Sequence, residues 1–341
     1  MQSLHAFIAT WLNRIWYQAA KPPWYLSTLA WFYDAWLSRQ APLPELTRTP
    51  MPIIVVGNVV VGGGGKTPLV IHLAHLIMRE NIKVIVIARL YSGNADGPML
   101  VRDNSSTLEV GDEPKLLQKR LNCPIVVSRS RSKSIDFIVK NKLECDIVIS
   151  DDGLQHMALP RAIEIGVVDT KRGIGNGKLL PAGPLREPVD RFQRCQWLIE
   201  KCQQQQGQNL KFKNTLAMQI NIVDAINLHT NERISLTEFA HQKDTSIHML
   251  AAIADPEAFF NALTVYGIEG VKHAMTDHAK VDLERVETFR TANIVLMTAK
   301  DAVKWSEVQP PLKNIWYVPL YTELPENFEK AFLQRCKALL N

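Results

Sequence analysis

Four consecutive glycines stand directly before Lys66 and Thr67 in this 341-residue chain. Glycine lets backbone N–H groups close around a phosphate chain, and a helix that begins at such a loop adds a favourable field for anions. Lys66 would reach the β- and γ-phosphates of a nucleotide, and Thr67 would hold Mg²⁺. The strict pattern has glycine where this chain has Val60. The predicted phosphate-binding loop consists of Val60, Val61, Gly62, Gly63, Gly64, Gly65, Lys66 and Thr67.

Paired acids end a short apolar run farther along the chain, in the sequence Asp146-Ile-Val-Ile-Ser-Asp-Asp152. In phosphate-loop enzymes, a carboxylate at the end of a strand beside the loop holds Mg²⁺ or one of its waters. Asp151 and Asp152 are therefore predicted to complete a metal site with Thr67. A chance acidic turn is the alternative.

The elements that would position these groups follow from apolar periodicity. Ile53 to Val61 is typical of a buried strand, and apolar spacing over residues 69–77 predicts a helix with Pro68 in its first turn. Further strands are predicted at residues 83–88, 125–127, 146–151 and 162–169. Strands that alternate with helices predict an α/β fold, a phosphate-loop NTPase-type, doubly wound and mainly parallel sheet with a second, smaller α/β lobe.

A glutamine-rich break at residues 202–208 divides the predicted domains. The predicted segments are aromatic amphipathic N-terminal helices at 1–40, a phosphate-loop domain at 41–208, a smaller α/β lobe at 209–322 and a C-terminal helix at 323–341.

Two predicted helices begin with charged residues. Asp112 stands where an N-cap would open a helix to about Leu121. Arg131 opens the helix predicted at 130–140, with basic residues on both sides, against the preference of the helix dipole. Such a start faces either an anion or solvent, and we favour solvent.

Five of the eight tryptophans fall within the first 36 residues. Tyr25, Leu29, Phe32 and Trp36 share one face of a predicted helix, with basic residues nearby. Amphipathic rings beside basic residues suit a membrane interface, whereas packing on the protein's own core is the alternative. No stretch reaches the roughly 18 uncharged apolar residues that a membrane-spanning helix needs.

Bulk composition is that of an ordinary folded protein, with 21% charged and 46% hydrophobic residues. The net charge of +5 fits an anionic substrate or a membrane surface and is too weak to indicate nucleic acid. The five cysteines are odd in number and form no C-x-x-C pair, which favours a reduced cytosolic compartment over a disulfide framework.

Taken together and in order, these motifs resemble the bacterial tetraacyldisaccharide 4′-kinase family of lipid A biosynthesis. The shared motifs are GNVVVGGGGKTP, VGDEP, DDGLQH, LLPAGPLRE, TDH and TAKDAVK. With the aromatic N-terminus they cover nearly the whole chain, and the family's loop also lacks the first strict glycine. The chain departs from the family's usual residues at Gly64, Leu90, Leu154, Ala279 and Ala299. The change at Leu90 falls in a loop expected near the substrate.

The resemblance implies a lipid kinase. It would transfer the γ-phosphoryl group of ATP, with Mg²⁺, to the 4′-hydroxyl of a tetraacylated glucosamine disaccharide 1-phosphate. The product would be the bisphosphorylated lipid A precursor of lipopolysaccharide. Such an enzyme would be peripheral at the cytoplasmic face of the inner membrane of a Gram-negative-type bacterium, and no protein partner is expected.

The resemblance also implies roles for individual residues. By motif position, the residues that serve ATP and Mg²⁺ would be Lys66, Thr67, Asp151, Asp152 and Glu187. Asp112 and His278 would form the catalytic pair, and we expect them to come from different lobes. Weaker candidates for orienting phosphate or substrate are Arg89, His156 and Lys300.

Two other classes of function are weighed against this one. A GTPase or nucleotide switch would need the guanine-reading pattern N-K-x-D, and Thr298-Ala-Lys-Asp301 lacks the spacer before its Asp. A membrane adaptor that merely binds nucleotide would have no use for the acids Asp112, Asp151 and Asp152.

Overall fold

The computed structural model describes residues 2–18, 21–39, 49–62, 64–90, 93–156, 159–202, 215–241, 246–277 and 279–340. Two predicted site residues, Gly63 and His278, lie outside the described residues. Most of the predicted domain break at 202–208 also lies outside them.

Helices and strands alternate through the described chain. The helices are α1 Gln2–Tyr17, α2 Trp24–Arg39, α3 Lys66–Met78, α4 Thr107–Val110, α5 Asp112–Arg120, α6 Arg131–Lys140, α7 Leu236–Phe239, α8 Pro256–Val265, α9 Leu283–Thr291, α10 Ala299–Trp305 and α11 Glu326–Ala338. The strands are β1 Ile53–Gly57, β2 Val84–Arg89, β3 Met99–Leu100, β4 Ile125–Ser128, β5 Ile147–Asp151, β6 Ile163–Asp169, β7 Trp197–Cys202, β8 Thr215–Asn221, β9 Asp224–Asn227, β10 Arg233–Ser235, β11 Ile247–Ala251, β12 Val271–Ala274, β13 Ile294–Thr298, β14 Ile315–Val318 and β15 Tyr321–Glu323.

The chain divides into two compact units. Unit 1 comprises residues 1–87, 130–219 and 324–341, and unit 2 comprises 88–129 and 220–323. This division differs from the predicted contiguous domains, because residues 88–129 belong to the same unit as the segment predicted to form the smaller lobe. The physical reason is packing within unit 2, where α5 lies against α10.

Unit 1 contains a parallel sheet with the strand order β8-β7-β6-β1-β5-β2. Its central strand β1 is buried along its whole length and pairs with β5 in a register that sets Val56 opposite Asp151. Parallel strands present their carboxyl ends at one edge of a sheet. The paired acids therefore lie beside the start of the glycine loop, as the sequence predicts.

The first strand is shorter than predicted. It ends at Gly57, whereas the β-branched run continues to Val61. The side chain of Asn58 accepts a hydrogen bond from the backbone N–H of Val60 at 3.0 Å, which turns the chain out of the strand. Val59 and Val60 stay buried, so their apolar character reflects packing of the loop rather than a longer strand.

The C-terminal helix α11 packs against α3 in unit 1. His72 of α3 lies 2.7 Å from the carboxylate of Glu329, and Lys337 reaches Glu80 at 2.6 Å. Phe328 and Phe332 also contact the ring of Trp197. The helix predicted at 323–341 is present and is a built-in part of unit 1.

Unit 2 contains a mixed sheet with the strand order β10-β9-β14-β13-β11-β12. The four strands from β14 to β12 are parallel, and β9 and β10 are antiparallel additions. Apolar residues of β11, β13 and the helices α8 and α9 fill cores on this sheet. Short apolar runs in the sequence predict strands at 248–253, 271–274 and 294–297 and a helix at 256–266, which β11, β12, β13 and α8 confirm. The hairpin of β9 and β10 and the strand β14 are not predicted.

The two N-terminal helices make different use of their faces. Ile15, Trp16 and Leu26 are buried with Ala182, and the indole N–H of Trp16 donates to the carbonyl of Pro181 at 3.0 Å. The predicted aromatic face of α2 is exposed. Its exposed residues are Trp24, Tyr25, Leu29, Trp31, Phe32 and Trp36. None of the helices in the described ranges is long and apolar enough to cross a membrane.

Candidate active site

The glycine loop opens α3 through backbone that favours glycine. Gly65 is the N-cap of α3 with φ 81°, and Gly62 has φ 111°. Both angles lie in a region that side chains disfavour, so these two glycines are required by the turn itself. Lys66 is the first helical residue and Thr67 the second, which places both side chains at the anion-attracting helix N-terminus.

A second segment braces this loop from the side. The backbone N–H of Val61 donates to the carbonyl of Pro184 at 2.9 Å, and the N–H of Arg186 donates to the carbonyl of Val59 at 2.7 Å. Val60 and Leu185 form an isolated antiparallel bridge. The LLPAGPLRE motif therefore pairs with the glycine loop as a short strand would. Its last two residues, Arg186 and Glu187, consequently lie beside the loop.

Asp152 is held between two cations. Its carboxylate lies 2.8 Å from the Lys66 ammonium and 3.1 Å from the guanidinium of Arg186. Burial alone would raise the pKa of Asp152, but the attraction of Lys66 and Arg186 outweighs it and holds the pKa at about 2. Asp152 also adopts a left-handed backbone conformation with φ 51°, an uncommon one that Asp tolerates better than most residues.

Asp151, at the end of β5, faces Thr67. The hydroxyl of Thr67 donates to Asp151 Oδ2 at 3.2 Å, and the Asp151 carboxylate is buried. Arg131, the first residue of α6, donates from Nη2 to the backbone carbonyl of Asp151. Although the neighbouring Arg129 and Lys133 are exposed, Arg131 is 1% exposed, so the prediction that this basic helix start faces solvent is wrong for Arg131. The guanidinium instead anchors the strand end that carries the acids.

Glu187 joins the same network through Gln155. The amide of Gln155 donates to Glu187 Oε1 and to the carbonyl of Asn58, both at 2.9 Å. Its oxygen accepts from Arg186 at 3.3 Å. Arg191 lies 3.3 Å from the other oxygen of Glu187. The predicted residues of unit 1 are thus connected by hydrogen bonds and ion pairs.

The donor set at this edge suits Mg²⁺. A threonine hydroxyl and a buried carboxylate in mutual contact are hard oxygen donors, and Mg²⁺ takes one or two carboxylates together with phosphates and waters. Within the described part of the chain, no three His, Cys, Asp or Glu side chains are grouped so that they could hold a metal ion. The oxygens of Thr67 and Asp151 fit part of a Mg²⁺ coordination shell.

Asp112 lies in unit 2, at the first residue of α5. The N-cap of that helix is Gly111 and no side chain caps it, so the N-cap role predicted for Asp112 is wrong. The carboxylate instead lies 2.9 Å from the ammonium of Lys304 on α10, with both side chains largely buried. Because residues 220–323 also belong to unit 2, the expectation that Asp112 and residue 278 come from different lobes is corrected.

The three weaker candidates are divided between the units. Arg89 ends β2 as an exposed residue assigned to unit 2. Lys300 of α10, also in unit 2, lies 2.9 Å from the carboxylate of Asp277. His156 belongs to unit 1, where its backbone carbonyl accepts a hydrogen bond from Arg161.

Several residues of the network were not predicted from the sequence. Gln155 and Arg186 stand inside motifs that point to the site, next to His156 and Glu187, so their motif positions were an available signal. Arg131 offered only its unfavourable position at a helix start. Nothing local in the sequence indicated that Lys304 would meet Asp112, which is 192 positions earlier.

Comparisons with known proteins identify the family and the fold of this chain. A family model described as tetraacyldisaccharide-1-P 4′-kinase matches residues 22–337. The chain is 36% identical over 342 residues to the tetraacyldisaccharide 4′-kinase of Hahella chejuensis (strain KCTC 2396), covering 97% of this chain and 96% of that protein. It is 37% identical over 320 residues to the enzyme of the same name from Haemophilus influenzae (strain 86-028NP), covering 91% and 92%.

A solved structure is similar as well. LpxK from Aquifex aeolicus, crystallised in complex with ATP, superposes with a TM-score of 0.76 at 26% identity, covering 92% of this chain and 98% of that chain. The family match across most of the chain and the full-length relatives above one-third identity show that this chain belongs to the tetraacyldisaccharide-1-P 4′-kinase family.

Proposed function

We propose that this chain transfers the γ-phosphoryl group of ATP to the 4′-hydroxyl of a tetraacylated glucosamine disaccharide 1-phosphate. One observation carries the proposal. Lys66 and Thr67, at the start of α3, contact the paired acids Asp152 and Asp151 at distances of 2.8 Å and 3.2 Å. This is the grouping that phosphoryl transfer from a nucleotide requires. Membership of the family indicates which molecule accepts the phosphoryl group.

Lys66 and Arg186 would stabilise the negative charge of the transferred phosphoryl group. In phosphoryl transfer, negative charge is spread over the equatorial oxygens, and catalysis consists largely of positioning and electrostatic stabilisation. Lys66 is ready for this task because Asp152 holds its ammonium in place. Arg186 is held by the same carboxylate and offers a second positive charge.

Thr67 and Asp151 would hold Mg²⁺, with Asp152 and Glu187 supporting them through the surrounding hydrogen bonds. When bound with ATP, the metal neutralises charge on the β- and γ-phosphates. Arg131 contributes by fixing the backbone at Asp151. A carboxylate that cannot swing away keeps the site ordered before nucleotide arrives, which lowers the cost of binding.

Asp112 and His278 would activate the sugar hydroxyl. An alcohol is a poor nucleophile, and a placed base typically accelerates such a step by about 10²–10⁴-fold. Asp112 is buried and its carboxylate lies 2.9 Å from the ammonium of Lys304, so its position is fixed. Arg89, His156 and Lys300 are our candidates for orienting the anionic acceptor.

The exposed face of α2 would place the enzyme on the cytoplasmic surface of the inner membrane. Trp24 is 80% exposed and Trp31 65% exposed, and a large apolar patch of this kind marks an interaction surface. Trp and Tyr rings partition to the headgroup region of a bilayer. An acylated substrate resides in that layer, so such docking would bring the site to its acceptor.

A nucleotide-release assay separates the proposal from a switch or an adaptor. Purified protein is mixed with Mg²⁺ and ATP or GTP, with and without tetraacyldisaccharide 1-phosphate in mixed micelles. We expect release of nucleoside diphosphate to require the acylated disaccharide and to be faster with ATP than with GTP. Equal release without the disaccharide, or a preference for GTP, would contradict the proposed function.

A further inference from the structure

The TAKDAVK motif forms a helix whose start is fixed in space. Thr298 is the N-cap of α10 and its hydroxyl oxygen accepts from the backbone N–H of Asp301 at 3.1 Å. The buried carboxylate of Asp301 accepts from the Thr298 hydroxyl at 2.7 Å and from the backbone N–H of Ala252 at 3.1 Å. These bonds tie α10 to the end of β11, so the side chains of its next turns point in set directions.

Lys304 lies one turn beyond that anchor and makes two polar contacts. Its ammonium is 2.9 Å from Asp112 Oδ2 and donates to the carbonyl of Ala279 at 3.0 Å. Lys300, one turn earlier on the same helix face, lies 2.9 Å from Asp277. The two lysines therefore contact the residues on either side of position 278, and Lys304 also contacts Asp112.

The surroundings of the Lys304–Asp112 pair make this contact consequential. The two side chains are only 11% and 9% exposed, so neither is well solvated. A buried carboxylate that loses a nearby cation loses a strong electrostatic contact that fixes its position, and it tends to move towards water. A displaced Asp112 could not serve as a general base or orient one.

We propose that Lys304 is a positioning residue for phosphoryl transfer, which acts through Asp112 by holding its carboxylate in place. The carbonyl of Ala279 accepts a second N–H of the same ammonium, so one side chain fixes both the carboxylate and the neighbouring backbone. This inference rests on the proposed role of Asp112 in the kinase reaction.

The first test compares kinetic constants of two lysine variants. Lys304→Met should lower kcat by about 10²-fold, the usual cost of misplacing a reacting group, while KM for ATP and for the acceptor stay close to wild type. Lys304→Arg, which retains the charge, should recover most of kcat.

The matched control is Lys115→Met on α5. Lys115 is also buried, but its ammonium donates to the carbonyls of Arg102 and Asp103, so its loss should lower Tm and spare kcat per folded enzyme.

A double-mutant cycle separates positioning from a purely structural role. Asp112→Asn and Lys304→Met should each reduce kcat, and the double variant should be no slower than the slower single variant, because residues that act as one unit give non-additive losses. If Lys304→Met does not fold, Lys304→Gln against Lys304→Arg replaces it, with the Gln variant expected to be much slower. Fully additive losses, or equal rates for Gln and Arg, would overturn the inference.

Failure of the inference and failure of the proposed function give different results. An active wild type and an inactive Asp112→Asn variant, together with normal kcat in Lys304→Met, would overturn only the positioning role. A wild type without transfer would overturn the proposed function and the inference together, whereas an Asp112→Asn variant with unchanged kcat would overturn the role of Asp112 and the positioning role of Lys304 but not the kinase activity.

Discussion

Asp152 shows how a carboxylate can be substantially buried and still remain ionised. Desolvation works against the charged form, yet two cations within 3.1 Å of its oxygens prevail and bring the pKa to about 2. The contact with Asp152 also restricts the position of the Lys66 ammonium. The ion pairs at this position therefore arrange the cations that the phosphoryl group needs.

Because the folded protein lowers the pKa of Asp152 from an ordinary value of about 3.9, ionised Asp152 stabilises the fold. This contribution is complete above about pH 4 and is lost as the pH falls towards about 2. We expect the difference in unfolding free energy between wild type and Asp152→Asn to be constant near neutral pH and to shrink in that acidic window. Guanidinium unfolding between pH 3 and pH 7 measures it.

The control for this experiment is Asp136→Asn, which removes an exposed carboxylate from α6. A wild-type advantage over Asp152→Asn that grew on acidification would contradict the assignment of the ion pairs.

Thr67 and Asp151 lead to a prediction about metal affinity. If their oxygens hold Mg²⁺, Thr67→Val and Asp151→Asn should each raise the Mg²⁺ concentration for half-maximal rate by about 10- to 100-fold, a range typical of damage to a metal site. Thr67→Ser keeps the hydroxyl and should titrate much like wild type. Titration of transfer rate with Mg²⁺ at saturating ATP is the measurement. Unchanged curves for both variants would remove these residues from the metal site.

At the level of elements, the glycine loop depends on a partner that local sequence does not reveal. Strand β1 and helix α3 are predictable because an apolar run, glycines and helical periodicity follow one another within 30 residues. The brace by Pro184, Leu185 and Arg186 comes from more than 120 positions away. Its apolar and proline residues predict only an extended loop, since the bonding partner is chosen by the fold.

Helix α2 is divided into a buried face and an exposed aromatic face. Leu26 is buried, and the hydroxyl of Tyr33 donates to the carbonyl of Arg186 at 3.0 Å, which ties the helix to the segment that braces the glycine loop. The exposed side is occupied by large aromatic rings. The sequence leaves membrane interface and protein core as alternatives for this N-terminus. The structure shows that one face packs on the protein, and the exposed aromatic face stays a proposed membrane surface.

Replacing three exposed rings should weaken attachment to membranes. The triple variant Trp24→Ser, Trp31→Ser and Trp36→Ser removes side chains that are each more than half exposed, so the fold should change little. Flotation with vesicles of phosphatidylethanolamine and phosphatidylglycerol should recover much less of the variant than of wild type. Leu26→Ala is the control on the buried face, where Tm should fall and flotation should persist. Equal flotation of wild type and triple variant would refute the interfacial role.

At the scale of the whole molecule, the sequence predicts the class of fold and the family but not the division into units. The alternation of strands and helices gives a parallel α/β sheet, and the order of the motifs gives the family. The predicted boundary follows chain order, whereas the chain enters unit 2 at residue 88 and returns to unit 1 at residue 130. Such an excursion is decided by packing of α5 on α10, which a linear reading of composition cannot detect.

The same limit applies to the candidate site. Lys66, Thr67, Asp151 and Asp152 are predictable because each stands at the end of a strand or the start of a helix in a recognisable motif. The roles of Arg131 and Lys304 arise from contacts between distant segments. Buried cations of this kind have no local signature, because the same lysine or arginine on a helix is usually solvated.

The central claim is that the residues at the glycine loop, Lys66 and Thr67 with Asp151 and Asp152, carry out phosphoryl transfer to the 4′-hydroxyl of an acylated disaccharide. The direct measurement is phosphorus NMR and mass spectrometry of the acceptor after incubation with Mg²⁺ and ATP, for wild type and for Lys66→Ala. We predict one new phosphate at the 4′ position per ATP consumed, and a rate lower by about 10²–10³-fold in the variant, which has lost the charge that stabilises the transferred group. No phosphate at the 4′ position, or near-wild-type turnover by Lys66→Ala, would contradict the account.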